Sequence, residues 1–236
     1  MAHAVVSLVT DTIIAFGPSL GYAVQLRNVV EGTEGIDGYS LPVSYVLIAC
    51  HVLRLQYFAA QKLTQRPTYA TALLFQSLIA LATQLALIVV VLRKAISDRY
   101  TSVGEKTKTH ERIAQHFPLP REFVARLVMF LAASCFFSMP ACLGQMHPDI
   151  LGFAALGIEA MLILPQLRLN WQRRSTAGVS WLLIFSWVGG DVVKMIYFIA
   201  KSQPMPFIAC TTVQLCFDTI LIYQLCSYHR DDSSRT

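Results

Sequence analysis

Seven apolar runs follow one another along the chain, at Val5–Leu26, Leu41–Gln61, Tyr69–Leu92, Glu122–Gly144, Ile150–Leu169, Trp181–Ala200 and Met205–Tyr228. Each holds about 20 residues or more, the length a helix needs to cross a hydrocarbon core of about 30 Å. Lipid offers no partner to an open backbone donor or acceptor. Helices, which pair these groups within one segment, are therefore the expected form. One such run fits the core of a soluble helical protein; seven in series do not. Charged residues make up only 14% of the chain, against about 25% in a soluble domain. The segment Met1–Val5 has no Lys or Arg, which is poor for a cleaved signal peptide, so the first span is expected to be retained.

Basic residues are distributed unevenly over the loops. Segments 61–69, 145–149 and 201–204 hold Lys62, Arg66 and Lys201, three in all. Segments 27–40, 93–121, 168–180 and the C-terminal tail hold thirteen: Arg27, Arg93, Lys94, Arg99, Lys106, Lys108, Arg112, Arg121, Arg168, Arg173, Arg174, Arg230 and Arg235. This bias predicts a cytosolic C-terminus and a lumenal N-terminus. The net charge of +5 then belongs to a face beside anionic lipid, and no basic-aromatic patch points to nucleic acid. All six cysteines fall in expected spans with no CxxC spacing, so neither a disulfide framework nor a zinc site is expected.

The chain repeats itself. Gln25-Leu26-Arg27 corresponds to Gln166-Leu167-Arg168, and Gly38-Tyr39-Ser40 to Gly178-Val179-Ser180. His51 then falls beside Asp191, Arg54 beside Lys194, Tyr57-Phe58 beside Tyr197-Phe198, and Gln76 near Gln214. A nearly constant offset of this kind marks an internal repeat. Each half contains three spans, so a fourth, unpaired span is needed to bring the halves into the same orientation. The expected fold class is an all-α integral membrane protein with seven transmembrane helices. Two parallel three-helix bundles, at 1–92 and 145–228, are joined by a linker helix at 122–144. A polar segment, 93–121, and a short tail, 229–236, are expected on the cytosolic side.

Ionisable groups inside spans cost about 2.5–3.5 kcal/mol each on insertion scales and mark candidate sites. His51, Arg54, Glu159, Asp191, Lys194 and Asp218 stand out, with Asp11 a weaker case near the lumenal end. Asp191 and Lys194 are three apart and share a helix face. They read either as a site for both charges of a zwitterionic headgroup or as a self-satisfied pair. Arg54 fits a phosphate as a bidentate donor, or snorkels, or pairs with Asp191 or Glu159. His51 alone reads more simply as a satisfied interior histidine. Glu159 is either a proton carrier or a hydrogen-bonded neutral acid, and Asp218 has the same two readings. Pro165 removes one helix hydrogen bond and kinks the helix, freeing a carbonyl. It and Gln166 read as a hinge or a fixed bend. Gly189 and Gly190 read as a bend or, more simply, as a close-packing pair. Trp171 and Trp181 read as interfacial anchors.

Pro165-Gln166 closes an apolar helix and is followed by Asn170, Ser175, Thr176, Gly178 and Ser180. This pattern resembles the second motif of PQ-loop proteins. The stretches GIEAMLILPQLRLNWQRRSTAGVS and WVGGDVVKMIYF are most similar to the two-PQ-loop branch associated with endosomal and Golgi membranes and phospholipid distribution. The resemblance implies a seven-helix fold like that of SWEET sugar transporters, and movement of phospholipid between leaflets. The first motif departs from the pattern, with Val24-Gln25 where Pro-Gln is expected. A first helix without that proline is expected to be stiffer there.

Three functions follow as expectations. The first is an ATP-independent phospholipid scramblase, since no GxxxxGK[ST] loop is present for a nucleotide. The second is a proton-coupled exporter of a small solute such as an amino acid, as in lysosomal PQ-loop relatives. In cystine-exporting relatives an acidic residue stands one turn before the Gly-Gly pair, where this chain has Ser186. The third is a non-transporting membrane scaffold. No nucleophile and base stand together as an enzyme requires, no cofactor or metal is expected, and a homodimer is a candidate assembly.

Overall fold

The computed structural model describes residues 2–31, 41–64, 70–101, 120–174 and 181–233. Among them the chain is helical, with no strand. The helices are α1 (Ala2–Glu31), α2 (Leu41–Leu63), α3 (Thr71–Thr101), α4 (Pro120–Cys142), α5 (Asp149–Ala160), α6 (Leu164–Arg173), α7 (Trp181–Ala200) and α8 (Met205–Ser233). A single 3-10 turn, Met161–Ile163, links α5 to α6. Each apolar run read from the sequence falls on a helix. Five segments are long and apolar enough to cross a membrane: Val43–Leu63, Thr71–Lys94, Val124–Cys142, Asp149–Gln172 and Met205–Tyr228. α1 carries a shorter apolar stretch, Leu8–Leu20. α3 runs to Thr101, beyond the end at Leu92 that hydropathy suggests, because polar side chains at 93–101 do not oppose helix formation once lipid is left behind. Most of the expected linker, 102–119, lies outside the described residues.

Helix packing follows the repeat. In the first half α1 packs on α3, and α3 on α2. In the second half α5 and α6 pack on α8, and α8 on α7. The order first–third–second is thus the same in both. The halves meet along two lines, α2 against α5 and α1 against α7, and α4 lies on α2. The α2–α5 line is closely packed. Gly152 explains part of this, since a Cβ there would stand 3.0 Å from Pro206 Cγ and 3.2 Å from a Tyr57 ring carbon.

One end of the molecule holds the start of α1 and α5 and the close of α2 and α7; Asp11 stands there. The opposite end holds Arg27 and the close of α6. Apolar packing differs between them. At the Asp11 end one core draws on both halves and on α4: Ile14, Tyr57, Phe58, Leu73, Ala141, Leu151, Tyr197, Phe198 and Phe207. At the Arg27 end each half has its own cluster. Val29, Ile48, Leu87, Ile88 and Val91 form one, and Leu167, Leu221 and Leu225 the other. Among the described residues, the halves are therefore fused by apolar contact at the Asp11 end only.

Candidate functional site

Helix geometry sets the depth of the charged residues. At 1.5 Å per residue, Glu159 lies about 15 Å beyond the start of α5 at Asp149, and Asp191 about 15 Å beyond Trp181. Arg54 lies about 14 Å from the close of α2 at Leu63, and Asp218 about 20 Å from Met205. All stand near the middle of a span about 30 Å thick.

The six residues singled out by sequence come together. Arg54 Nη2 pairs with Glu159 Oε2 across the α2–α5 line, joining the two halves. The guanidinium is 3% exposed and the carboxylate 19%. Lys194 Nζ donates to Asp191 Oδ1 at 2.7 Å on one face of α7; these side chains are 20% and 13% exposed. Lys194 and His51 both lie within electrostatic reach of Glu159. Asp218 is buried and senses Asp191 first and Lys194 next. Among the described residues, three buried atoms of the network have no hydrogen-bond partner: His51 Nδ1, Arg54 Nε and Asp218 Oδ2. Two ion pairs are thus closed, while a buried imidazole, a buried carboxyl and the Nε of the paired guanidinium keep unused capacity.

Of the readings left open by the sequence, Arg54 takes Glu159 rather than Asp191, and Asp191 takes Lys194. His51 is not satisfied at Nδ1, contrary to the simpler reading. Gly189 and Gly190 do not serve close packing, because a Cβ at either meets nothing within 4 Å.

Pro165 acts as expected on the helix but not on the carbonyl. Its ring nitrogen has no hydrogen to give Met161, four residues back. The helix breaks over Met161–Ile163, and Leu164 N–H takes the Met161 carbonyl instead. That carbonyl is therefore no open ligand. Glu159 sits in the last turn before the break, so its height depends on the break's geometry. Gln166 fastens α6 to α8 through a relay. Gln166 Nε2 donates to Asn170 Oδ1 at 2.8 Å. Asn170 Nδ2 donates to Gln224 Oε1 at 3.2 Å, and Gln224 Nε2 to Leu167 O at 3.0 Å. In the first half, α1 continues unbroken past Val24 to Glu31. The side chain of Gln25 lies outside the described residues.

Sequence reasoning missed two contacts at the Asp11 end. Tyr57 OH on α2 donates to Asp149 Oδ1 at 3.4 Å, and Tyr197 OH on α7 donates to Asp11 Oδ1 at 2.7 Å. In each case the second helix of one half reaches the first helix of the other. Lys201 Nζ adds to the latter, 3.6 Å from Asp11. The repeated Tyr-Phe pair was the available signal. Its phenylalanines, Phe58 and Phe198, meet on the two sides of Phe207, at centroid distances of 6.2 and 5.2 Å. The result is an aromatic plug between the charged midsection and the Asp11 end.

A family model described as the PQ loop repeat matches residues 148–207, which comprise α5, the break, α6, α7 and the first turn of α8. No solved structure matches the chain. The match covers the segment in which Pro165 breaks its helix and Gln166 clamps it, so residues 148–207 carry a PQ loop repeat, and with five helices long and apolar enough to cross a membrane the chain is a multi-pass membrane protein.

Proposed function

We propose that the protein is an ATP-independent phospholipid scramblase built as seven helices in a 3+1+3 arrangement, working in an endosomal or Golgi membrane with its N-terminus in the lumen. The observation that carries this reading is the charged midsection beside a loosely closed seam. α2 and α5 pack closely, whereas among the described residues the polar contacts of α1 with α7 are at the Asp11 end, through Tyr197 and Lys201. A headgroup that entered between α1 and α7 would meet Asp191 and Lys194, one anion and one cation 2.7 Å apart. A zwitterionic headgroup can exchange partners with such a pair, its phosphate to Lys194 and its amine to Asp191, while its tails stay in lipid. The dry core of a bilayer makes an unaccompanied headgroup very costly, and a built ion pair lowers that cost. The basic bias of the Arg27 end supports placing that end in the cytosol.

The test is purified protein in vesicles carrying labelled phospholipid in both leaflets. Leaflet exchange faster than in empty vesicles is expected, without nucleotide. Asp191→Asn with Lys194→Met is expected to return the rate to within about threefold of the empty-vesicle value, on the ground that the headgroup has lost both charge partners. Exchange no faster than in empty vesicles rejects the reading.

A second reading, proton-coupled export of a small solute, is favoured by one observation. Asp218 Oδ2 is buried without a hydrogen-bond partner and faces Asp191, and two such carboxyls can share a proton. Solute accumulation driven by an imposed pH gradient, abolished by Asp218→Asn, would select export over scrambling.

A further inference from the structure

A groove of about 700 Å³ lies on the second half at the Arg27 end, lined by Leu164, Pro165, Leu167, Arg168, Trp171 and Gln224 among others. It is well separated from the charged midsection, since Trp171 is twelve residues beyond Glu159, about 18 Å along the helix direction. Its floor is apolar. Gln224 lends polarity there, but both ends of its amide are already engaged, by Asn170 and by Leu167. At its rim Arg168 is exposed, and no hydrogen bond or ion pair holds it among the described residues. None of the described lining residues is acidic. Trp171 is 59% exposed and stands where α6 leaves the span, the level at which tryptophan anchors to headgroups.

One backbone feature adds to this. Arg174 closes α6 with φ 50°, a left-handed conformation that residues with a Cβ rarely adopt. Glycine would adopt it freely. The arginine there instead places its guanidinium 4.9 Å from the Trp171 ring centre. Strain of this kind tends to be kept where a site needs it. The outcome is an apolar trough lined by Arg168 and an indole, with a second guanidinium, that of Arg174, held on the indole.

We propose that this groove is a resident-lipid site that holds one phospholipid of net negative charge, with an acyl chain along Leu164, Pro165 and Leu167 and the phosphate between Arg168 and Arg174. Arginine binds phosphate by two parallel donors, and the apolar floor selects an intact lipid over a free anion. Because the groove lies on α6, just past the break, an occupied site ties that short helix to the bilayer surface. The inference does not rest on the transport reading.

The experiment is retention of lipid by the purified full chain in detergent, read by native mass spectrometry. Phosphatidylglycerol and phosphatidylcholine of identical chains are offered in competition, with inorganic phosphate as a separate arm. The expected result is one phosphatidylglycerol retained about tenfold over phosphatidylcholine, in keeping with charge-assisted bonds. Arg168→Gln removes the preference, Arg168→Lys keeps part of it, and Arg93→Gln leaves it intact. Arg174→Asn, whose side chain tolerates left-handed backbone, gives an independent loss should Arg168→Gln fail to fold. Equal retention of the two lipids overturns the proposal. So does displacement by inorganic phosphate at the concentration of the lipid, or an equal loss with Arg93→Gln, which would reduce the effect to general surface charge.

Discussion

At the residue scale, the Arg54–Glu159 pair is the point on which most depends. A buried pair is weak evidence of stability, but removing one partner is costly, about 3–5 kcal/mol, because a charge is left without company in a dry place. Arg54 is 3% exposed and cannot turn to water. Arg54→Ala is therefore expected to lower stability by about 3 kcal/mol or more, while Arg54→Met with Glu159→Gln recovers most of the loss. Thermal unfolding in detergent measures both. A double variant no more stable than Arg54→Ala would mean that the two side chains do not depend on each other. The six charged positions were legible in the sequence because each interrupts an apolar run. The pairing of Asp191 with Lys194 was legible too, as one of two readings from their spacing, but the partner of Arg54 was not. Glu159 and Asp191 were equally plausible partners for Arg54, and the choice is made by the height at which α5 meets α2, which no local pattern encodes.

At the element scale, the break between α5 and α6 follows from a single residue. Proline at the second position of α6 is tolerated because helix starts have no need of that donor. Inside one continuous span it costs about 3 kcal/mol. Pro165→Ala removes the reason for the 3-10 turn. Amides from Met161 to Gln166 are expected to gain protection in hydrogen exchange, about tenfold, as α5 and α6 join into one helix with the usual bonding. The leaflet-exchange rate is expected to fall with the fold intact. Unchanged protection would place the cause of the break in the packing of α6 on α8. The bend was readable from Pro165, and the continuous course of α1 past Val24 from the missing proline. The occupied carbonyl of Met161 was not, since it depends on how the chain closes the gap with Leu164. The groove beside Trp171 was also beyond reach, because it needs the contact of α6 with α8.

At the scale of the whole molecule, the repeat in the sequence reappears as an order of packing, first helix on third and third on second in each half. That much was legible because offsets near 140 residues recur in the chain. The unequal join between halves was not, since the Tyr-Phe pairs give no sign that both meet Phe207 at one end. The two tyrosine–aspartate contacts hold that end closed. A hydrogen bond to a charged group contributes about 1.5–3 kcal/mol, so Tyr197→Phe is expected to raise the population open at the Asp11 end by about tenfold or more. Cys210, 8% exposed within the shared core, reports it. In a chain whose other five cysteines are replaced, its alkylation by an impermeant maleimide is expected to quicken by that factor. An unchanged rate would mean that the aromatic plug holds without the bond.

The ion pair between α2 and α5 sits midway between the plugged end and the end where each half has its own core. A lever supported at its centre moves its two tips in opposite senses. If the halves tilt about Arg54 and Glu159, parting at the tyrosines forces approach at Val29 and Leu225, and a continuous pore through the molecule never forms.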